Sequence, residues 1–283
     1  MKVCNTKESI SETIEAIKAQ NKRLGFVPTM GALHNGHLSL VRAALNENNI
    51  VIVSIFINPT QFNKKEDLKK YPRTLTRDIN LLKTISDDKI IIYAPTVTDI
   101  YGKTIKSLHF DFDGLEKEME GKFRPGHFNG VGTVVKRLFE IVKPDNAYFG
   151  EKDFQQLQII RKLVEKCKLP VNIIGCKIYR EESGLALSSR NERLKPKHKK
   201  AAPIIFKILK ASKVKFKNKS ANKVTNWVIK EFAKQQALRL EYFIIADVKT
   251  LKEIKRKSNQ KTYRAFIAVY AGDVRLIDNI ALN

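Results

Sequence analysis

Two of the five histidines in this chain, His34 and His37, stand three residues apart in PTMGALHNGHLSL (Pro28–Leu40), bracketed by Gly31 and Gly36. The apolar segment LGFVPT (Leu24–Thr29) precedes them, and Leu38, Val41 and Leu45 follow at helical spacing. They therefore sit at a turn from strand to helix. Backbone amides and the positive end of the helix dipole converge at such a turn, which suits it to phosphate. Imidazoles placed there can donate hydrogen bonds to a phosphoryl oxygen as negative charge builds on it. Plainer roles remain open, with His37 an ordinary first-turn residue or a ring acting only as a cap. Zinc needs a third and fourth ligand that HxxH does not supply here. Neither GxGxxG nor GxxxxGK[ST] occurs, so the dinucleotide and P-loop fingerprints are missing.

Four other polar clusters deserve the same question. NPTQFN (Asn58–Asn63) follows an apolar run, and Asn58 and Gln61 are uncharged groups suited to a small substrate bearing hydroxyl and carboxylate. GKFRPGHFNGVGT (Gly121–Thr133) packs four glycines around Arg124 and His127 and reads as a flexible polar loop, a lid or an anion contact. In FGEKDFQQ (Phe149–Gln156), Gly150 permits a turn, Lys152 is a mobile cation suited to a triphosphate, and Gln156 sits in a first helical turn. LALSSRN (Leu185–Asn191) sets Ser188 and Ser189 beside Arg190, an anion clamp. Each alone is readable as surface decoration or a turn; four at strand ends or adjoining loops point to one shared site.

Those clusters need a scaffold, and the pattern supplies one. Helices are expected over Lys7–Gln20, His37–Asn48, Leu75–Thr84, Gly130–Lys143 and Phe154–Cys167. Strands are expected over Leu24–Thr29, Asn49–Asn58, Lys89–Pro95, Asn146–Gly150 and Pro170–Ile178; the continuous β-branched runs fit parallel strands covered on both faces. The order is that of a Rossmann-like, doubly wound α/β sheet with its ligands at the carboxyl ends of the strands. Past Arg193 the chain becomes lysine-dense. A helix over Ala221–Gln236 and strands over Glu241–Asp247 and Arg264–Gly272 then predict a smaller α/β or α+β domain, giving domains 1–178 and 179–283.

The 283 residues, 43% hydrophobic, can bury two such cores. No apolar window of about 18 residues appears, which argues against a membrane span. The first residues show no apolar signal core, and the three cysteines form no CxxC pair. Both features fit a cytoplasmic protein rather than a disulfide framework. The net charge of +24 invites a nucleic-acid partner. The basic residues are mostly lysine spread over helical faces, however, whereas base reading leans on arginine, so no specific nucleic acid is expected.

Taken together, PTMGALHNGH, FINPTQF, YPR (Tyr71–Arg73), RPGHFNGVGTVVKRLFEIVKPDNAYFGEKDFQQ, GLALSSRN and GDVRLIDN (Gly272–Asn279) closely resemble the pantoate–β-alanine ligases over essentially the whole chain. HNGH alone resembles the wider HxGH nucleotidyltransferase superfamily. The resemblance implies that (R)-pantoate and β-alanine are joined while ATP is split to AMP and pyrophosphate through a pantoyl adenylate, with Mg²⁺ required. It implies ATP contacts at Met30, Gly31, Ala32, Leu33, His34, Asn35, Gly36 and His37, with His37 as proton donor and His34 its partner on the phosphates. Further ATP contacts are implied at Gly150, Glu151, Lys152 and Asp153, at Leu187, Ser188, Ser189 and Arg190, and at the Tyr179 main chain. Gln61 and Gln156 resemble the amides that hold pantoate, and Asn58, Arg124 and His127 are expected around the substrates. The catalytic set is thus His34, His37, Lys152 and Arg190, with no protein-held metal. A homodimer built through the larger domain is implied. The rival readings are a related nucleotidyltransferase acting on a phosphorylated acceptor, which would want a basic second pocket, and a basic RNA-binding protein.

Overall fold

The computed structural model describes residues 1–62 and 65–283. Its contacts divide the chain into two units. One comprises residues 1–151 and 155–177, the other residues 152–154 and 178–283.

The first unit runs β1 (Lys2–Cys4), α1 (Lys7–Ala19), β2 (Leu24–Thr29), α2 (Asn35–Glu47), β3 (Ile50–Ile55), α3 (Lys65–Lys70), α4 (Leu75–Lys83), β4 (Ile90–Tyr93) and α5 (Val97–Tyr101). It continues through α6 (Met119–Phe123), α7 (His127–Val142), β5 (Asn146–Gly150), α8 (Phe154–Cys167) and β6 (Asn172–Cys176). The six strands form a sheet in the order β1-β4-β3-β2-β5-β6, and all its pairings are parallel. The expected doubly wound sheet is present. Central strands β2, β3 and β4 are buried on both faces, which explains their continuous apolar runs. From β2 the chain builds outward through β3 to β4, then returns to the opposite side of β2 with β5. The topological switch therefore lies between β2 and β5, and ligands of open α/β sheets bind at the carboxyl ends of strands there.

Helix α2 is tied down below this point. Asn48 Nδ2 donates to the Ala44 carbonyl and the Tyr148 hydroxyl, both at 2.7 Å, while Asn146 Nδ2 donates to Asn48 Oδ1 at 2.9 Å. Tyr148 in turn donates to Glu47 at 2.8 Å. The carboxyl end of α2 is thus fastened to β5, leaving its amino end pointed at the switch.

Two helix starts differ from expectation. α2 begins at Asn35, with His34 as its cap, rather than at His37. α7 begins at His127 rather than Gly130, so GKFRPGHFNGVGT is not a flexible loop: α6 and α7 take up nearly all of it, leaving Arg124–Gly126 between them. The glycines serve close approach instead. A Cβ on Gly130 would lie 2.3 Å from the Thr60 carbonyl oxygen, so only glycine lets the helix lie against the Pro59–Gln61 turn.

The second unit is α+β. Helices α9 (Pro196–Ala201), α10 (Ile204–Asn218) and α11 (Ala221–Ala233) precede an antiparallel sheet of β7 (Arg239–Asp247), β8 (Tyr263–Ala271) and β9 (Val274–Ala281). Ile205, Leu209, Val224, Val228 and Phe232 from the helices pack with Ile245, Ala265, Ile267 and Val269 from the strands. The lysines of α10 fall outside that apolar stripe, as an amphipathic helix requires.

Candidate active site

At the carboxyl end of β2 the chain turns sharply. Gly31 has φ +79° and Ala32 φ +50°, a backbone region that L side chains rarely enter. Asp78, on α4 and fully buried, holds this turn. Its two carboxylate oxygens accept from the amides of Ala32 at 3.0 Å and Leu33 at 2.8 Å, and Thr74 adds a hydroxyl at 3.2 Å. A Cβ on Gly31 would meet Asp78 and Ile55, each at 3.1 Å. Nothing in the sequence flagged Asp78, because an acid in a mostly polar helix reads as a solvent group.

The turn delivers His34 to the cap position of α2 and His37 to its first turn. His34 Nδ1 accepts from the Gly36 amide at 3.1 Å, and His37 Nδ1 accepts from the His34 amide at 3.3 Å. The rings stack with centroids 4.0 Å apart. Since each Nδ1 is an acceptor, the proton of each neutral ring resides on Nε2. The capping role and the phosphate role thus use different nitrogens, and the two readings are compatible.

The Pro59–Gln61 turn follows β3. Asn58 is almost fully buried and its amide is saturated. Its Nδ2 donates to Gln61 Oε1 at 3.1 Å and to the Gly130 carbonyl at 3.2 Å, while its Oδ1 accepts from the Tyr101 hydroxyl at 2.6 Å and from Thr60. Burial raises the pKa of Tyr101 above that of an ordinary phenol, so this donor stays protonated. Asn58, expected around the substrates, thus holds the side-chain oxygen of Gln61. Arg124 and His127 also converge on this turn. The Arg124 guanidinium donates to the Gln61 carbonyl at 3.2 Å, and His127 Nδ1 lies 3.0 Å from the same oxygen. A carbonyl only accepts, so His127 carries a proton on Nδ1. The Gln61 Oε1 accepts from Asn58, which fixes the plane of the Gln61 amide. Asn63, the end of the expected motif, lies outside the described residues.

β5 ends at Gly150, beside β2 in the sheet. On the following helix the buried amide is Gln155, which binds the Glu120 amide and the Leu115 and Glu118 carbonyls. Its neighbour Gln156 is half-buried and makes no side-chain hydrogen bond among the described residues. The first unit therefore pairs His34 with His37 after β2, and separately joins Asn58, Gln61, Arg124 and His127 at the turn after β3.

Glu151 closes the first stretch of the first unit, and Lys152, Asp153, Tyr179 and Leu187–Arg190 belong to the second. Tyr179 and Leu187 are paired across a small hairpin, with the Leu187 amide donating to the Tyr179 carbonyl at 3.0 Å. Arg180 locks this hairpin. It forks onto Asp278 at 2.7 and 2.9 Å, reaches the Gly184 carbonyl at 3.1 Å, and stacks 3.6 Å over Phe206. Ser188 then caps the turn Ser189–Arg193 by accepting from the Arg190 amide at 3.3 Å, while Asn191 braces it through the Ala186 carbonyl. Arg190 is exposed. Lys152 has its ammonium 3.8 Å from Asp153.

The family profile described as pantoate-beta-alanine ligase matches residues 2–281. The chain belongs to this family. It is 57% identical over 283 residues to a pantothenate synthetase of Christiangramia forsetii, covering all of both chains. Among solved structures it resembles pantothenate synthetase from Thermus thermophilus with TM-score 0.91 and 37% identity, over 100% of this chain and 99% of that one. A pantoate-beta-alanine ligase from Francisella tularensis, complexed with β,γ-ATP and β-alanine, matches with TM-score 0.79 and 36% identity over 100% and 98%. Family membership agrees with a nucleotide-type helix start and a neutral amide turn at the switch of a parallel sheet. It leaves the second, basic pocket of the nucleotidyltransferase reading without support. Among the described residues, no helix is long and apolar enough to cross a membrane.

Proposed function

We propose that the chain joins pantoate to β-alanine at the expense of ATP, through a pantoyl adenylate. A carboxylate is a poor electrophile because oxide is a bad leaving group. Attack of the pantoate carboxylate oxygen on the α-phosphorus breaks the bond to the β-phosphate oxygen, releasing pyrophosphate and leaving a mixed anhydride. The β-alanine amine then attacks the acyl carbon, AMP departs with the bonding electrons, and the amine proton passes to solvent. Neither step needs a covalent bond to the protein; alignment and charge neutralisation suffice.

What supports this reading, besides family membership, is the Gln61 turn. Its amide is oriented from behind by Asn58 and its carbonyl is clamped by Arg124 and His127, leaving Nε2 to meet a hydroxyl or carboxylate. A neutral amide donor suits pantoate's hydroxyl and leaves its carboxylate nucleophilic. Gln156 is assigned as the second pantoate amide. His34 and His37 are assigned to the ATP phosphates through Nε2, with Met30–Leu33 and Asn35–Gly36 lending main chain. Gly150–Asp153, Leu187–Arg190 and Tyr179 are assigned to the nucleotide, with Lys152 and Arg190 neutralising the pyrophosphate as it leaves. Mg²⁺ is assigned to the nucleotide phosphates, whose charge it would offset. It takes oxygen donors, which the phosphates supply, and the exposed Asp153 carboxylate is read as an indirect contact rather than a ligand.

We further read residues 1–178 and 179–283 as working domains, the protein as a cytoplasmic homodimer, and the Arg124 segment as a support for Gln61 rather than a lid. The test is pantoate-dependent exchange of labelled pyrophosphate into ATP without β-alanine, and AMP release only with both acids. Exchange without pantoate, or AMP release with a phosphorylated acceptor in its place, would refute the assignment. Light scattering in solution checks the dimer.

A further inference from the structure

Near the end of strand β9 stand Asp278 and Asn279, whose side chains point to opposite faces of the sheet, as alternation demands. Asp278 takes the Arg180 fork described above. Asn279, only 1% exposed, does something different. Its Nδ2 donates to the main-chain carbonyl of Lys152 at 2.9 Å. Its Oδ1 accepts from the Arg264 guanidinium, and its amide donates to Asp278 at 2.8 Å. Arg264, facing the same side through the register Phe266–Asn279, lies 3.9 Å over the ring of Phe154. Phe154 also packs 6.0 Å from Phe266, centroid to centroid. Residues 152–154 thus lie against the β8–β9 face, held by one hydrogen bond and two ring contacts.

This is an unusual place to spend a buried amide. The segment is a three-residue excursion from the middle of the chain, and Asn279 binds its backbone at Lys152, one of the two residues assigned to the leaving pyrophosphate. The Lys152 side chain has four rotatable bonds, so its reach is useful only if its Cα is fixed. Loose lysines lose that alignment to entropy.

We infer that Asn279 is a positioning residue for Lys152 in adenylate formation. This rests on the reading of Lys152 as the cation of the pyrophosphate. Its contribution is confined to the first half-reaction, because the pyrophosphate has left before the amine attacks.

The experiment is a double-mutant cycle on the full-length protein. Asn279→Ala removes the bond; Asn279→Asp keeps the volume and the acceptor for Arg264 but turns an anionic oxygen toward the Lys152 carbonyl. Each is made alone and with Lys152→Ala, and circular dichroism confirms folding, so that one folded variant suffices. Single-turnover adenylate formation is expected to fall about ten- to a hundredfold in either single variant, the scale of a mispositioned group. The KM for pantoate, and aminolysis of pre-formed pantoyl adenylate by β-alanine, should change by less than about twofold. In the Lys152→Ala background the Asn279 change should cost less than about twofold, since coupled residues are not additive. An equal loss in both backgrounds, an equal loss in aminolysis, or no loss at all would overturn the inference while Lys152 keeps its assignment. If Lys152→Ala alone leaves adenylate formation unchanged, the assignment of Lys152 falls, and this inference with it.

Discussion

Replacing Asp78 by asparagine should damage the histidine turn more than any single change to the histidines' own surroundings. The carboxylate accepts two amides, from Ala32 and Leu33, at 3.0 and 2.8 Å. Hydrogen bonds to a charged acceptor contribute about 1.5–3 kcal/mol each. Asparagine keeps one acceptor oxygen and presents an NH₂ donor to the other amide, so one bond is lost and one buried N–H is left facing a donor. The sum is about 2–4 kcal/mol, a large part of the roughly 5–15 kcal/mol that holds a typical domain. Part of this is recovered if the turn relaxes: Gly31 tolerates positive φ, whereas Ala32 at φ +50° is strained and its amide is held by the carboxylate. Relaxation would move the cap of α2, and with it both imidazoles. Urea denaturation followed by circular dichroism should therefore show a loss of at least about 1.5 kcal/mol, and pantoate-dependent pyrophosphate exchange should drop tenfold or more in the still-folded protein. Unfolding at the parent's midpoint with unchanged exchange would refute the claim that Asp78 shapes the site.

Other expectations follow from the same geometry. Gly130→Ala forces a methyl to within 2.3 Å of the Thr60 carbonyl; an overpacking loss of about 1–3 kcal/mol and a raised KM for pantoate are expected, and an unchanged melting temperature would contradict it. Asp278→Ala removes the fork from the half-buried Arg180 guanidinium, which keeps the Gly184 carbonyl and the Phe206 ring; a loss of about 1.5–3 kcal/mol by chemical denaturation is expected, and less than about 0.5 kcal/mol would mean that the fork is idle. Burial, with Glu47 and Glu151 adding repulsion, pushes the Cys176 thiol up to about 11. The folded chain then keeps this proton where the unfolded chain has lost it, so the thiol's contribution to stability is full below about pH 9 and fades toward pH 11. Peptide-mapped alkylation should show Cys176 slow at pH 8 and still accelerating above pH 9.5, whereas a plateau by pH 9 would count against it. Lys152→Ala should cut adenylate formation by about a hundredfold, and a burst of unchanged size and rate would remove Lys152 from the mechanism.

The strands of the first sheet were legible because burial on both faces leaves no polar residues to blur them: Leu24–Thr29 and Asn146–Gly150 match to the residue. Helix starts were less so. Gly130 and Gly132 looked like an entry loop, yet they lie inside α7 because backbone and aromatic neighbours approach there. The short β1, the whole of β9 and the helices α5, α6 and α9 carry too few periodic residues to stand out. At the candidate site, what the sequence shows is position: His34 and His37 follow one apolar strand run, and Asn58 and Gln61 follow the next. Burial separates neighbouring amides that the sequence leaves alike: Asn58 and Gln155 are buried, Gln61 and Gln156 half-buried. Asp78 and Asn279 were illegible for a related reason. Their partners are backbone groups 45 and more residues away, and main-chain atoms leave no mark in a sequence.

The assignment of residues 152–154 to the second unit has a practical consequence for anyone dissecting the protein. A fragment begun at Ile178 would look like a tidy excision, yet it would leave behind the strip that shields Arg264 and Phe266. Its sheet would expose an aromatic ring and a guanidinium with no ring to cover it. Cloning the carboxyl-terminal portion in isolation should therefore yield a sticky, poorly behaved product unless a short peptide spanning Lys152–Phe154 is stitched back on.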